Sequence, residues 1–431
     1  MNSRQQGALG VALGDRHVGT IKRDGSFGIR FTYDDAVLAA AEHGDRSGTL
    51  SVAMPPNRRS YGTTRSSAFF DGLLPEDVVR DRIAADRRID RLDTFGLLAS
   101  LAGDTAGAVV VTPHAPTPAS TGFAGDVPNS SPIPLQADEL EQLVADLPRH
   151  PLGIAAADQR FSLAGVQGKL MLVEVPGGWA LPTDRHPSTH ILKPTVTDPA
   201  VVLNEATCMR ALLQAGLPTP ASRIVTIGSN PAFLIERYDR IATARAVTRI
   251  HQEDLCQAIS TPPTSKYFDP ERSPEMHYGR VAEALDAFAE SPGLQRIRLF
   301  DLAVASFALG NSDQHGKNIS FLHDGRGGIT LAPAYDVLST QAWGPEYASR
   351  LAMPIAGLLE PDEVTRTTFT QLALECGLAP GGVTGRIDRL LASLASGLDH
   401  ALEATRAAGF DDPILDALRT VFERRAAQLL A

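Results

Sequence analysis

Residues 310–318 read GNSDQHGKN, and no other stretch of the chain restricts its fold as strongly. Asp313, His315, Lys317 and Asn318 are packed into nine residues, between the apolar run 299–309 and the strand-like ISFL of 319–322. So dense a polar cluster between a helix-like and a strand-like segment needs a purpose. The segment immediately downstream supplies one. Residues 319–323 read as a strand, 324–328 (DGRGG) as a turn and 329–332 as the returning strand, after which comes PAYD at 333–336. The hairpin brings a second carboxylate, Asp336, back toward the first.

Asp313 and Asn318 stand in the relation D-x-x-x-x-N, the spacing at which a protein kinase places its catalytic base and a Mg²⁺ ligand. That spacing alone arises by chance on the order of once in a couple of chains this long. With Asp336 it becomes a mechanism: one carboxylate positions the nucleophile and the other holds metal on the β- and γ-phosphates. Asp313 is therefore the expected base, and Asn318 and Asp336 are the expected metal ligands. His315 and Lys317 are expected to contact phosphate or to shape the loop.

The other parts of phosphoryl transfer have candidates upstream. Residues 161–169 read FSLAGVQGK and lead into a strand at 170–173. Gly165 and Gly168 free the backbone for close approach to phosphate, although an ordinary hairpin turn has the same composition. Lys193 closes the apolar strand HILKP and is placed to neutralise phosphates; a strand-end lysine snorkelling to water is the plainer reading. Glu205, on the next helix, suits an ion pair with Lys193, or simply the dipole of a helix N-terminus. IERYDR at 235–240 falls where strands give way to helices, the position of an adenine-binding hinge or of a surface charge cluster. There is no H-E-x-x-H, G-x-S-x-G or G-x-x-x-x-G-K-[ST], so zincin, hydrolase and P-loop chemistries have no motif here.

The wider pattern suits an α+β protein of two lobes. Residues 18–22 and 27–33 read as a hairpin around Asp24-Gly25. Residues 77–98 read as one amphipathic helix. Strands are expected at 180–182, 190–193, 221–227 and 232–238, and helices at 204–216, 252–259, 278–290, 294–309 and most of 361–431. Residues 113–134, rich in Pro, Ser and Ala, read as a linker. The expected domains are a β-rich one at 1–112, an N-lobe-like part at 135–240 and a helical C-lobe-like part at 241–431. No run of 18 apolar residues offers a membrane span, and the N-terminus lacks the features of a secretory signal. Cys208, Cys256 and Cys376 are far apart, without metal spacing, as expected of reduced cysteines in a cytoplasmic protein. The net charge of −10 makes the chain a poor nucleic-acid binder on its own.

Taken as a set of motifs, the chain resembles the HipA-type serine/threonine kinase toxins of bacterial toxin–antitoxin modules. The matching segments are SSAFFDGLLPE (66–76), FSLAGVQGK, HILKP, NEATCMRAL (204–212), IERYDR, HQEDLCQA (251–258), GNSDQHGKN and LAPAYDVLS (331–339), in family order over nearly the whole chain. The resemblance implies a kinase-like fold with an extra N-terminal domain. It implies ATP and Mg²⁺ as cofactors, Asp313 as base, Asn318 and Asp336 as metal ligands and Lys193 on the ATP phosphates. Backbone groups of Glu236 and Tyr238 would bind adenine, with Gln252 near the ribose. Leu163, Ala164, Gly165, Val166 and Gln167 would cover the phosphates. Ser162 matches the serine that the family autophosphorylates, a switch that works because a phosphate of about −2 charge cannot sit beside those of ATP. Where the family usually carries an acid this chain has Gly168, so its loop is expected to be more flexible. The expected partners are a serine of a protein target (the family's targets include aminoacyl-tRNA synthetases), a HipB-like helix-turn-helix antitoxin and, through it, operator DNA. A degenerate kinase acting as a non-catalytic co-repressor and a small-molecule phosphotransferase are the alternative classes.

Overall fold

The computed structural model describes residues 7–101, 103–113, 132, 134–150, 168–183, 186–195, 198–243, 246–344, 347 and 350–431. The chain divides into two compact units. The first comprises residues 1–193, 236–264 and 322–328, and the second 194–235, 265–321 and 329–431. The linker expected at 113–134 lies almost wholly outside the described residues.

The first unit is built on a five-stranded antiparallel sheet in the order Ser60–Tyr61, Gly28–Tyr33, Arg16–Asp24, Leu9–Leu13, Val109–Thr112. Its central hairpin is the one expected from the sequence. Asp24 pairs with Gly28 across a tight turn in which Gly25 takes φ +79°, a backbone region that glycine enters without steric cost. Ile29, Phe31 and Tyr33 are buried while Arg30 is exposed, the period-2 burial of a half-covered strand. Phe31, Tyr33, Phe69 and Phe70 form an aromatic core, with Phe31–Tyr33 edge-to-face at 4.7 Å. The helix expected over 77–98 is two helices, Asp77–Arg87 and Thr94–Leu101. Arg88 turns left-handed at φ +53° and ends the first of them, although no glycine announces the stop.

The same unit holds a short sheet, Leu170–Val175 pairing with Gly178–Ala180 and with His190–Pro194. The helix expected at 252–259 begins late. Gln252–Asp254 is a strand, and the helix Leu255–Ala258 starts from an Asp254–Gln257 capping box. This segment is tied to the N-terminal sheet region. Glu253 accepts from Ser51 Oγ (2.6 Å) and from Val52 N (2.9 Å), and His323 Nε2 lies 2.9 Å from it. His251 donates through Nε2 to the Leu50 carbonyl at 2.8 Å.

Burial pushes the His251 imidazole from 6.5 down to about 3. A base whose folded pKa is depressed binds its proton in the unfolded chain first, so stability falls as pH drops from about 6.5 toward 3. The slope approaches about 1.4 kcal/mol per pH unit. Urea unfolding between these pH values is expected to show that loss in the wild type and to lack it in His251→Gln; parallel curves would contradict it.

The second unit is mostly helical. Pro199–Gln214 starts at Asp198, whose carboxylate accepts from Ala200 N at 3.0 Å, with Pro199 in the first turn. Helix Val383–Ala407 packs on it, and the two backbones come close at Gly397, where a Cβ would meet the Ala211 carbonyl at 2.7 Å. Helices Tyr278–Phe288, Pro292–Ala308, Arg366–Glu375 and Pro413–Leu430 surround Phe300, Phe307 and Phe369. Ser222–Ile227 and Asn230–Glu236 form an antiparallel hairpin.

Candidate active site

The second unit carries the polar loop, and its local chemistry explains the odd composition. Helix Pro292–Ala308 ends at Leu309, and Gly310 turns left-handed at φ +73°. Only glycine fits there, because a Cβ would come within 2.3 Å of Val421 Cγ1 and 2.8 Å of Ser339 Oγ. Asn311 Oδ1 then accepts from Asp313 N at 2.9 Å. Gln314 accepts from Ser306 Oγ (3.1 Å) and from Asn311 Nδ2 (3.3 Å), and donates through Nε2 to the Asn318 carbonyl at 3.0 Å. Asn318 Nδ2 donates to the Asp313 carbonyl at 3.1 Å and closes the loop. Its amide nitrogen is thus engaged, leaving Oδ1 as the atom that a hard cation would take. His315 and Lys317 are both buried, and the His315 ring stands edge-on to Tyr267 at 5.2 Å.

The returning segment is tied to this loop. Tyr335 donates its hydroxyl to the Lys317 carbonyl at 2.5 Å and accepts from Ser320 Oγ at 2.6 Å. Asp336 follows at φ +57°, a left-handed conformation that Asp tolerates better than most non-glycine residues and that costs on the order of 1 kcal/mol. Three residues on, Asn204 of helix Pro199–Gln214 clamps Ser339 with two bonds, Nδ2 to its carbonyl (2.9 Å) and Oδ1 from its N–H (2.8 Å). Thr340 Oγ1 accepts from Ser312 N at 2.9 Å. Gln341 donates to Ser312 Oγ at 3.1 Å and accepts from Arg424 (2.9 Å) and Arg425 (2.8 Å) of the C-terminal helix. Asp313, Asn318 and the segment that carries Asp336 are therefore linked by hydrogen bonds. Beside Asp313 opens a cleft of about 430 Å³, lined also by Tyr267, Phe268, Thr340, Tyr347 and Arg350.

Asn204, Ser312, Gln314, Tyr335 and Gln341 had no signal of their own in the sequence. Their neighbours did, since Asn204 precedes Glu205 and Tyr335 precedes Asp336. Asn204→Ala removes both bonds to a fully buried backbone and is expected to cost about 1–3 kcal/mol in urea unfolding, with a parallel fall in any activity that depends on Asp336. Unchanged stability would show that the clamp is idle.

The first unit holds most of the other candidates. Lys193 is buried in strand His190–Pro194, and Lys169 is buried at the start of Leu170–Val175. Glu205 lies in the second unit, buried on its helix. Tyr238 donates to Gln252 Oε1 at 2.6 Å, so these two expected nucleotide contacts do meet. Glu236 is exposed. Ser162 and 163–167 lie outside the described residues.

IERYDR is not the surface charge cluster that was its plainer reading. Arg237, Asp239 and Arg240 are buried. Arg237 donates to both Asp239 oxygens (2.9 and 2.7 Å), to Ser188 Oγ (2.8 Å) and to the Thr105 carbonyl (2.8 Å). Arg240 reaches Asp104 at 2.9 Å, and Arg249 approaches the same carboxylate at 3.4 Å. Burial opposes ionisation of Asp104 and Asp239, but the surrounding guanidiniums win and hold both carboxyls below their usual range.

Among the described residues no three His, Cys, Asp or Glu side chains converge as a metal cage. Mg²⁺ bound with a nucleotide needs none, since one or two protein oxygens and the phosphates hold it. The oxygens of Asn318 and Asp336 fit that requirement.

Comparison with known proteins is consistent along the chain. The family model for the HipA N-terminal domain matches residues 9–112, and that for the HipA-like C-terminal domain matches residues 161–398. A putative kinase of Sinorhizobium fredii, Y4mE, is 34% identical over 399 residues, 92% of this chain and 92% of that protein. The serine/threonine-protein kinase toxin HipA of Shewanella oneidensis is 29% identical over 388 residues, 84% of this chain and 82% of its own length. A chain in the solved complex of the Shewanella oneidensis HipA, HipB and operator DNA superposes with a TM-score of 0.78, covering 98% of this chain and 97% of that one, at 22% identity, a likeness of fold.

Proposed function

The chain belongs to the HipA family, and from that premise we propose that it is an ATP- and Mg²⁺-dependent protein kinase, the toxin of a toxin–antitoxin pair. The observation that carries the reading is the closed loop in which Asn318 is bonded to Asp313 while Tyr335 fastens the segment of Asp336 to the same loop. Asp313 accepts the proton of a substrate serine hydroxyl. The serine oxygen bonds to the γ-phosphorus as the bond to the β-phosphate oxygen breaks, and ADP leaves. Asn318 and Asp336 would hold Mg²⁺, which would supply positive charge against that of the phosphates. Lys193 and the segment 163–167 take the phosphates, and the segment around Glu236 and Tyr238 takes the adenine, with Gln252 by the ribose. In this reading residues 135–240 hold the nucleotide and 241–431 carry the chemistry.

The acceptor is a serine of a cytoplasmic protein, with aminoacyl-tRNA synthetases the class to try first, and Ser162 is the site of self-inactivation. A HipB-like antitoxin neutralises the kinase and supplies the positive charge for operator DNA that a chain of net charge −10 lacks. No helix among the described residues is long and apolar enough to cross a membrane.

The test is incorporation of label from γ-labelled ATP with Mg²⁺, mapped by mass spectrometry, on wild type and Ser162→Ala. Label at Ser162 that disappears in Ser162→Ala is the expected result. Failure of the wild type to bind ATP at all would overturn the reading.

A further inference from the structure

The cleft of about 430 Å³ beside Asp313 lies wholly within the second unit. Among the described residues assigned above to catalysis, nucleotide or metal, only Asp313 lines it; Lys193, Tyr238, Gln252, Asn318 and Asp336 do not. The proposed base therefore borders a space that the proposed nucleotide residues leave unclaimed.

The walls of this space are tied to the loop through backbone. Phe268 N donates to the Ala352 carbonyl (2.8 Å), Ala352 N to the Ser312 carbonyl (2.7 Å) and Gly316 N to the Lys266 carbonyl (3.0 Å). Residues 351–359 close as a small hairpin. Leu351 N donates to the Leu359 carbonyl at 2.7 Å, and Ile355 is bridged to Leu358 across a turn at Ala356 and Gly357 (φ +46° and +82°). The side chains of Tyr267, Phe268 and Leu359 make none of these ties. They are nonetheless large and apolar, and water reaches them: Tyr267 is 45% exposed, while Phe268 and Leu359 are half-buried. Tyr347 adds a second aromatic ring to the lining, 67% exposed. Apolar groups gathered at one concave place and left part-open to water mark a binding surface. Arg350, also in the lining, lies 3.4 Å from Glu360, so its charge is already met. The cleft calls for an apolar side chain rather than an acid.

The sequence carries an acceptor of that description. Ser162, the proposed site of self-inactivation, stands between Phe161 and Leu163. We infer that this cleft seats the acceptor segment and selects a serine with a large apolar residue immediately beside it. Tyr267 and Leu359 hold that residue while Asp313 takes the hydroxyl proton. The inference rests on the kinase reading and narrows its substrate class. Taking one large apolar side chain out of water is enough for a preference of about tenfold or more.

The test uses a synthetic peptide copying residues 158–169, DQRFSLAGVQGK, and a second copy carrying Phe161→Asn and Leu163→Asn. Phosphate transfer from labelled ATP is measured with the full chain carrying Ser162→Ala, so that self-labelling does not compete, and self-labelling of the wild type is followed in parallel. The second peptide should show a kcat/KM at least about tenfold lower. Adding Leu359→Asn to the kinase should bring the ratio of the two peptides toward one, and Leu359→Met should preserve it. The Kd for a non-hydrolysable ATP analogue should stay unchanged in both. Because the ratio compares two peptides on one enzyme, partial unfolding cannot produce it. If Leu359→Asn fails to fold by circular dichroism, Tyr267→Asn is read in the same way. Equal kcat/KM for the two peptides, transfer to neither while the wild type labels Ser162, or an unchanged ratio in the folded variant overturns the inference. So does a weakened Kd, which would give the cleft to the nucleotide. Absence of label everywhere, Ser162 included, removes the kinase reading itself and the inference with it.

Discussion

Asp313→Asn is expected to lower the phosphoryl-transfer rate by about 10²–10⁴-fold, the usual contribution of a positioned general base. The structure makes this a clean experiment. Residue 313 is held through its backbone: its N–H donates to Asn311 and its carbonyl accepts from Asn318. The isosteric amide leaves both bonds in place, so the loop should keep its shape and nucleotide should still bind. Initial rates with labelled ATP, alongside the Kd for a non-hydrolysable analogue, separate the two quantities. A fall in kcat with little change in Kd is the predicted outcome. A variant as fast as the wild type would remove Asp313 from the chemistry, and an equal loss of nucleotide binding would make its role structural.

Arg237→Ala should cause a large loss of stability in the first unit, about 3–5 kcal/mol, because it removes four buried hydrogen bonds, two of them to Asp239, although Asp104 keeps Arg240 and Arg249. Arg237→Lys should recover little, since an ammonium cannot reproduce the fork that grips both Asp239 oxygens. The pH dependence has a definite sign. Both carboxyls are depressed in the folded state, so their contribution is complete above about pH 4 and is lost as pH falls below it. The relevant measurement is urea unfolding at neutral pH and in mild acid, with a probe in each unit because a chain of two units need not unfold in one step. Neutral-pH stability equal to wild type would mean that the network is not needed to hold the unit together.

Much of this architecture was legible where physics is local. The hairpin of Arg16–Asp24 and Gly28–Tyr33 shows itself by alternation and a turn glycine, and Gly310 marks the end of its helix. The dense polar loop at 310–318 could be read as a site because Asp313, Asn318 and Asp336 are close in sequence and a short hairpin joins them. Other features were hidden for physical reasons. Arg88 breaks a helix without being glycine or proline, so periodicity ran straight through it. Gln252–Asp254 was absorbed into the helix behind it, although the Asp254–Gln257 capping box marks where that helix begins. The burial of Arg237 and Arg240 depends on Asp104, more than 130 residues away, and no local pattern reports a partner at that distance. The same holds for Asn204, whose bonds are to the backbone of Ser339.

The loop at 310–318 is braced from helix Pro413–Leu430, more than 80 residues away in sequence from Gln341. Arg424 and Arg425 hold Gln341, and Gln341 holds Ser312, the residue before Asp313. Arg425 is fixed in turn by Asp362 and Gln428. A change in helix Pro413–Leu430, which supplies none of the proposed site residues, therefore reaches the backbone beside Asp313 through only two intervening side chains.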